Sequence, residues 1–202
     1  MKQAARLVVM ISGNGSNLQA ILDAICENRL SASVVAVISN QPEAFGLERA
    51  LSAGVPALVK QKTKGQDRTV YDQELAELAA SFDPDWIVLA GWMRILSASF
   101  LDKFPNRVIN LHPALPGMFA GVHAIERAYA AYQRGEIDCT GVMVHLVPDD
   151  GVDCGPVLNQ SRVEIFPGDT LADLEARIHE TEHILLVKTL NQLVEKREVP
   201  NA

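Results

Sequence analysis

The sequence has few of the features that mark disulfide-rich, zinc-binding or membrane proteins. Its three cysteines, Cys26, Cys139 and Cys154, are odd in number and show no CxxC spacing, so neither a disulfide framework nor a zinc cluster is predicted. No apolar run approaches the ~18 residues of a membrane helix. The short apolar run near the N-terminus leads into a glycine loop and not into a signal cleavage site. We therefore expect a reduced, cytoplasmic protein that does not bind a membrane.

Positive charge is also scarce. The 202 residues include 18 Lys and Arg against 25 Asp and Glu, which gives a net charge of −7. A general nucleic-acid binder would show a basic face, so no nucleic-acid partner is expected. A small anionic ligand stays possible, because single arginines and backbone amides can hold a phosphate inside an acidic protein. The expected partners are small molecules, and the sequence leaves a monomer and a homodimer both open.

Apolar runs alternate with amphipathic segments along most of the chain. Strands are predicted at 6–11, 32–39, 57–60, 85–91 and 107–112. Helices are predicted between and after them, at 16–29, 44–54, 67–82 and 123–136. Two strands at 141–148 and 155–166 and a long helix at 170–196 then follow. Alternating strands and helices imply an α/β fold with a doubly wound, mostly parallel sheet, and the late strand pair adds an antiparallel edge. Since repeats and linkers are lacking, we expect one domain over residues 1–202.

Ligands of such sheets bind beyond the carboxyl ends of the strands, where the first candidate site is the loop ISGNGSNLQ. Gly13 and Gly15 allow a tight turn and a close approach of the backbone. Ser16 and Asn17 begin a helix whose free N–H groups favour an anion. A plain turn with a Ser or Asn helix cap is the alternative.

The same loop lacks the full dinucleotide fingerprint. Leu18 stands where the third glycine belongs, and Asn40 near the end of the second strand replaces the acid that would bind a ribose. A single phosphate is therefore a better ligand for this loop than NAD.

The stretch LAGWMRILS follows a predicted strand and is ambiguous. Trp92 and Met93 can form an apolar wall with Arg94 embedded in it. Taken alone, however, the pattern favours core positions for Met93, Ile95 and Leu96 and a solvated Arg94.

The stretch VINLHPALPG places Asn110 and His112 at the end of an apolar strand. Their side chains are two residues apart and therefore face the same way on an extended backbone. With the backbone held by Pro113, His112 is a candidate acid or base. A structural histidine with satisfied hydrogen bonds is the alternative.

Three acids occur in the loop PDDGVDCGPV between the two late strands. Asp149 and Asp150 alone indicate a solvated turn, whereas Asp153 is flanked by Val152 and the CGPV segment and is predicted to be positioned. The EF-hand spacing and its distal Glu are absent, so a calcium loop is not predicted.

The last helix carries an acid within an apolar stripe. The stripe consists of Leu171, Leu174, Ile178, Leu185 and Thr189. Glu182 interrupts it four residues after Ile178, and a carboxylate on an inward face needs a partner. That partner is either a basic side chain in an internal salt bridge or the amine of a ligand.

Several of these stretches, taken in order, resemble the phosphoribosylglycinamide formyltransferases, a folate-dependent family. The resemblance extends from Leu7 to Leu193 and is carried by ISGNGSNLQAIL, SNQPEAFGLERA, VLAGWMRILS, INLHPALPG and VDCGPV. It implies a Rossmann-like formyltransferase fold. It also implies transfer of the formyl group of 10-formyltetrahydrofolate to the amine of 5-phosphoribosylglycinamide in purine biosynthesis, without a metal.

The resemblance also implies a set of site residues. The catalytic set is Asn110, His112 and Asp153. The implied substrate contacts are Gly15, Ser16, Asn17, Pro113 and Glu182. The implied folate contacts are Arg68, Met93, Arg94, Ile95, Leu96, Asn110, Pro148, Asp149 and Asp150. In this reaction Asn110 and protonated His112 would donate hydrogen bonds to the developing oxyanion, and His112 and Asp153 would move protons.

The chain departs from the family pattern in places that bear on the shape of both pockets. It reads HPALPG where a common member reads HPSLLP, and Ile125 stands where a histidine is frequent. Trp92 replaces a phenylalanine, Cys154 a glycine and His179 a glutamine.

Two alternatives to this function come from different classes of protein. Formyltetrahydrofolate hydrolases carry an additional N-terminal domain and methionyl-tRNA formyltransferases a C-terminal one, and the chain is expected to have room for neither. A 10-formyltetrahydrofolate hydrolase is nevertheless kept as an alternative. The second alternative is a non-catalytic module that binds a nucleotide phosphate. The intact catalytic set argues against this alternative.

Overall fold

The computed structural model describes residues 4–197. Its strands are β1 (Ala5–Ile11), β2 (Ala32–Ser39), β3 (Ala57–Val59), β4 (Trp86–Leu89), β5 (Val108–His112), β6 (Cys139–Leu146) and β7 (Val157–Glu164). Its helices are α1 (Ser16–Cys26), α2 (Phe45–Ser52), α3 (Arg68–Ala80), α4 (Ala98–Leu101), α5 (Ala124–Gln133) and α6 (Leu171–Arg197). Each predicted strand and helix is present, and only the four-residue helix α4 was not predicted.

The strands form one seven-stranded sheet in the order β3-β2-β1-β4-β5-β6-β7. Neighbours from β3 to β5 are parallel, whereas β6 is antiparallel to both β5 and β7. The predicted mostly parallel sheet with an antiparallel edge is therefore confirmed.

Helices cover both faces of this sheet. Side chains of β1 alternate between two hydrophobic cores, with Leu7, Val9 and Ile11 in one and Val8 and Met10 in the other. The first core also holds buried residues of α1, α2, α5 and α6, and the second holds those of α3 and α4. Burial on both faces explains why this strand is a continuous apolar run.

The strand order reverses between β1 and β4, and ligands of doubly wound sheets bind at such a switch point. The loops that follow these two strands are joined by hydrogen bonds. The N–H of Ser12 donates to the carbonyl of Gly91 at 3.0 Å, and the N–H of Met93 donates to the Ser12 hydroxyl at 2.8 Å. The two loops therefore form one connected rim.

Within residues 4–197, no helix combines the length and the apolar character needed to cross a membrane.

Candidate active site

A cleft of about 830 Å³ lies at the carboxyl ends of the parallel strands. It is lined by segments 12–17, 89–96, 110–113, 121–126 and 151–153, with further residues of β6 and α6. The glycine loop, the segment after β4, the end of β5 and the loop after β6 were each predicted to contribute to a site. The structure brings all four around the same cleft.

Asp153 lies at the centre of a cluster of polar side chains in this cleft. Its Oδ1 atom accepts a hydrogen bond from the Asn110 amide at 3.0 Å, and its Oδ2 atom accepts one from the Gly121 N–H at 2.8 Å. The ring atom Nδ1 of His112 is 3.2 Å from Oδ2, and Nε2 of His145 is 3.5 Å from Oδ1. Asp153 therefore contacts both of the other predicted catalytic side chains.

The acidity of the Asp153 carboxyl depends on these neighbours. Burial by itself raises the pKa of this group, but hydrogen bonds from His145 and Gly121 and the charge of His112 together hold it below the ordinary value. Asp153 is thus held in its ionised form, which can accept a proton or orient an imidazole.

The ring of His112 lies between two acceptors. Nδ1 faces Asp153, and Nε2 is 3.2 Å from the carbonyl oxygen of Phe119. Only the imidazolium form can donate to both oxygens. Burial holds the pKa of His112 below its ordinary value, although the Asp153 carboxylate and the Phe119 carbonyl partly oppose that shift. These opposing influences suit a group that gains and loses a proton during a reaction.

His145 belongs to the same cluster, although the sequence did not identify it. It is paired with Asn110 across the antiparallel β5–β6 ladder, and the Asn110 Nδ2 atom is 3.2 Å from its Nε2 atom. Its Nδ1 atom is 2.8 Å from the carbonyl of Leu146. A histidine near the end of an apolar strand was the available signal, as for His112, but the strand pairing that places it beside Asn110 is not visible in periodicity.

The backbone is strained around the cluster. Asp153, Phe119 and His123 have φ angles of 52°, 48° and 57°, in the left-handed region that non-glycine residues rarely adopt. Such conformations persist only where surrounding contacts enforce them, and they concentrate at functional sites. The prediction that Asp153 is positioned and not mobile agrees with this geometry.

The glycine loop is braced by helix α2. Gly15 has φ 75°, and a Cβ atom there would lie 2.7 Å from the Cα of Gly46. Arg49 of α2 donates to the carbonyl of Asn14 at 2.9 Å and to its side-chain oxygen at 3.1 Å. The N-cap of α1 is Gly15, without a side-chain cap hydrogen bond. The Ser or Asn cap of the alternative interpretation is therefore absent, whereas the phosphate site itself stays a prediction.

Glu182 is buried, with 5% of its surface exposed, and lines the cleft. Its Oε2 atom is 2.7 Å from Nδ1 of His179 and 3.4 Å from the Asn17 amide nitrogen. The hydrogen bond to Glu182 raises the pKa of His179. Glu182 therefore has an internal partner, the half-exposed His179, as the salt-bridge interpretation predicted. Glu182 also lines the cleft, as the ligand interpretation requires.

The segment after β4 forms an apolar wall of the cleft. Met93 and Ile95 are 68% and 49% exposed, so the expectation that both are core residues is wrong. Leu96 is buried as expected. Arg94 is half-buried, with its guanidinium 5.0 Å from the centre of the Tyr71 ring, and is therefore not the freely solvated side chain that the pattern favoured.

Three of the implied folate contacts do not line the cleft. Pro148 is exposed, and Asp150 and Arg68 approach each other at 4.0 Å between Oδ2 and Nη2. Arg68 also lies 3.7 Å from the buried carboxylate of Asp72. Because the neighbouring Asp149 lines the cleft, Pro148, Asp150 and Arg68 lie at the rim of the cleft.

Among residues 4–197, no set of three or more His, Cys, Asp or Glu residues has a metal-binding arrangement.

Comparison with known proteins places the chain among enzymes of formyl transfer. The family model described as formyl transferase matches residues 5–190. Phosphoribosylglycinamide formyltransferase of Schizosaccharomyces pombe is 46% identical over 202 residues, which cover 94% of this chain and 97% of that protein. The trifunctional purine biosynthetic protein adenosine-3 of Drosophila melanogaster is 42% identical over 94% of this chain and 14% of its own length.

Solved structures agree with these relatives. The crystal structure of glycinamide ribonucleotide transformylase 1 from Symbiobacterium toebii superposes with a TM-score of 0.90 at 40% identity. The match covers 98% of this chain and 91% of that one.

Proposed function

We propose a specific reaction for this chain, which belongs to the formyl transferase family. It is a formyltransferase of purine biosynthesis, with phosphoribosylglycinamide as the acceptor of the formyl group. The cosubstrate is of the folate type, and the specific donor that we propose is 10-formyltetrahydrofolate. The observation that carries the proposal is the contact of Asn110, His112 and Asp153 in a cleft with one polar and one apolar end.

The ribonucleotide fits the polar end of the cleft. Its phosphate would lie on the N-terminus of α1, where Gly15, Ser16 and Asn17 present backbone N–H groups. Its glycinamide amine would face Glu182, near Pro113. The Oδ1 atom of Asn17 is buried and has no hydrogen-bond partner within residues 4–197, and a donor of the substrate would satisfy it.

The pterin ring of the folate fits the apolar end. Met93 and Ile95 offer exposed apolar surface there, and Leu96 and Arg94 complete the same segment. Asp149, in the loop after β6, also lines the cleft. Arg68, Pro148 and Asp150 stand at the rim, where they would meet parts of the folate that project out of the cleft.

The polar cluster can carry out the chemical step. Attack of the amine on the formyl carbon generates a tetrahedral intermediate whose oxyanion needs hydrogen-bond donors. One N–H of the Asn110 amide stays on Asp153, and the other, whose nitrogen is 3.2 Å from Nε2 of His145, would turn from that ring to the oxyanion. Protonated His112 would supply a second donor by turning the N–H of Nε2 from the Phe119 carbonyl to that oxygen. As the intermediate collapses, the oxyanion becomes the formyl carbonyl again and the bond between the formyl carbon and folate N10 breaks. The Asp153–His112 pair takes up the proton that the amine releases and returns one to N10, directly or through a water molecule.

An assay of 10-formyltetrahydrofolate with and without phosphoribosylglycinamide tests this proposal. We expect deformylated folate to accumulate only when the ribonucleotide is present, with an equal amount of formylated ribonucleotide. Turnover without the amine would identify a hydrolase. No turnover, combined with binding of the ribonucleotide, would identify a phosphate-binding module without catalysis.

We further propose that one domain spans residues 1–202, that the protein acts in the cytoplasm, and that neither nucleic acid nor a membrane is a partner. The reaction as written needs no metal, because N–H donors stabilise the oxyanion and a carboxylate–imidazole pair moves the protons. Size measurements in solution will separate the monomer from the homodimer.

A further inference from the structure

The loop between β5 and α5 contacts both members of the carboxylate–imidazole pair through its backbone. The carbonyl oxygen of Phe119 is 3.2 Å from Nε2 of His112. Two residues later, the N–H of Gly121 donates to Oδ2 of Asp153 at 2.8 Å. The orientation of both reacting groups therefore depends on where this loop holds two peptide groups.

These peptide groups do not hold their positions by local preference. Phe119 and His123 have positive φ angles of 48° and 57°, and an aromatic side chain in the left-handed region is a conformational outlier. A strained segment of this kind relaxes unless other contacts enforce its shape. The loop thus requires a restraint from outside itself.

Arg127, in the first turn of α5, supplies this restraint. Its Nη2 atom donates to the carbonyls of Phe119 and Ala120, the latter at 2.8 Å, and its Nε atom donates to the carbonyl of His123 at 3.3 Å. The guanidinium also lies 5.9 Å from the centre of the Phe119 ring. One side chain therefore binds the carbonyls of three loop residues, and it shares the Phe119 oxygen with His112.

We propose that Arg127 is a positioning residue of the formyl transfer reaction, which holds the Phe119 carbonyl on His112 and the Gly121 N–H on Asp153. The role rests on the proposed function, because it matters only if these two groups react. The planar fork of a guanidinium can bind several carbonyls at fixed angles and lie over an aromatic ring, whereas an ammonium acts as a single point of charge. Arg127 is exposed, so its loss should spare the core.

Kinetics of Arg127→Ala and Arg127→Lys, with Arg134→Ala as the control, test this role. Arg134 lies at the end of the same helix and pairs with Glu136 at 2.7 Å. Because displacing a reacting group by about 1 Å can cost about 100-fold in rate, we expect kcat of R127A to fall by about 10- to 100-fold. The KM values of both substrates should change little, R127K should be nearly as slow, and R134A should match the wild type.

Millimolar guanidinium chloride, with sodium chloride as the ionic-strength control, should raise kcat of R127A and leave the wild type unchanged. A wild-type kcat in R127A, an equal loss in R134A, or no gain from guanidinium would overturn the proposal. If R127A does not fold, the kinetics of R127K test the positioning role of Arg127 instead, and a normal kcat in R127K overturns that role. If the wild type transfers no formyl group, the proposed function has failed. Ring 15N shifts of His112 then test Arg127 separately, and shifts identical to those of wild type would overturn its role.

Discussion

The two ends of the cleft are built on different physical principles. At the polar end, the close approach of Gly15 and Gly46 and the hydrogen bonds of Arg49 fix the backbone, and Glu182 is a buried residue of the cleft wall. At the apolar end, Met93 and Ile95 leave much of their surface exposed. The polar end is therefore preorganised for a charged ligand, whereas the apolar end gains its affinity from the area that a ligand covers.

This difference indicates where each substrate is selected. A rigid, charged site discriminates by hydrogen bonds, and an error there leaves buried groups unpaired. An apolar wall tolerates small changes of shape, because each buried methylene contributes only about 0.8 kcal/mol. The strained backbone of Asp153 and Phe119 lies between the two ends, where the substrates would meet.

The junction between the two ends should show the largest effect of a single substitution. Asp153→Asn keeps the size of the side chain but places an amide among the donors of Asn110, Gly121 and His112, and it cannot accept a proton. We expect kcat to fall by about 10²–10⁴-fold, the usual loss of an acid or base group. Steady-state kinetics and direct binding of both substrates will measure it.

Asp138→Asn is the matched control for this substitution, because the carboxylate of Asp138 is 85% exposed. We expect wild-type kinetics from it. A near-normal kcat in Asp153→Asn would mean that His112 and Asn110 suffice, and Asp153 would then serve only to hold the loop.

Glu182→Gln tests the polar end alone. The glutamine can still accept from His179 through its oxygen, but it removes the charge that would face the substrate amine. A hydrogen bond to a charged group is worth about 1.5–3 kcal/mol, so KM for the ribonucleotide should rise about 10- to 100-fold. The KM for folate and the unfolding temperature should change little. A large loss of stability with normal kinetics would show that the His179–Glu182 pair is structural.

The fold was largely predictable from the sequence, because its elements follow from apolar periodicity. Buried parallel strands such as β1 are continuous apolar runs, and the absence of a helix between β6 and β7 indicated their antiparallel pairing. The helix α4 was missed because four residues are too few to show a period. Met93 and Ile95 were assigned to the core because hydrophobicity alone does not distinguish a core residue from the wall of an open cleft.

The site was predictable where a side chain is the functional group and less so where a side chain holds a backbone. Asn110 and His112 stand out by residue type at the end of a strand and Asp153 in the loop between the late strands, and their predicted proximity is observed. Arg49 and Arg127 act on carbonyl oxygens of neighbouring loops. Such contacts depend on tertiary geometry, and an exposed arginine in a helix gives no signal of them.

Ile95→Ala tests the apolar end. The substitution removes apolar surface from a residue that is 49% exposed, so we expect KM for folate to rise about three- to tenfold, as the lost area implies. KM for the ribonucleotide should not change. Ile184→Ala, at a position that is 65% exposed outside the cleft, is the control for which we expect normal kinetics. Equal changes of both KM values in Ile95→Ala would mean that the two ends are not independent.

The smallest predicted effect is on stability and concerns the proton that His179 and Glu182 share at the polar end of the cleft. The hydrogen bond to Glu182 raises the pKa of His179 above its ordinary value of 6.5. A histidine whose pKa is raised on folding adds stability that is complete below about pH 6.5 and is lost as the pH rises through the folded value. His179→Asn keeps an N–H for Glu182 but does not titrate. The difference in unfolding free energy between wild type and this variant should therefore be larger at about pH 5.5 than at about pH 8.

Denaturant unfolding of both proteins at the two pH values measures this difference, because every other titrating group is common to them. The side chain of His179 is 52% exposed, so solvent screening keeps the change small. The direction is the informative part. A difference that does not depend on pH, or that grows towards alkaline pH, would mean that His179 does not share its proton with Glu182. The full negative charge of Glu182 would then face the substrate amine at every pH, and the preorganisation of the polar end would rest on its backbone alone.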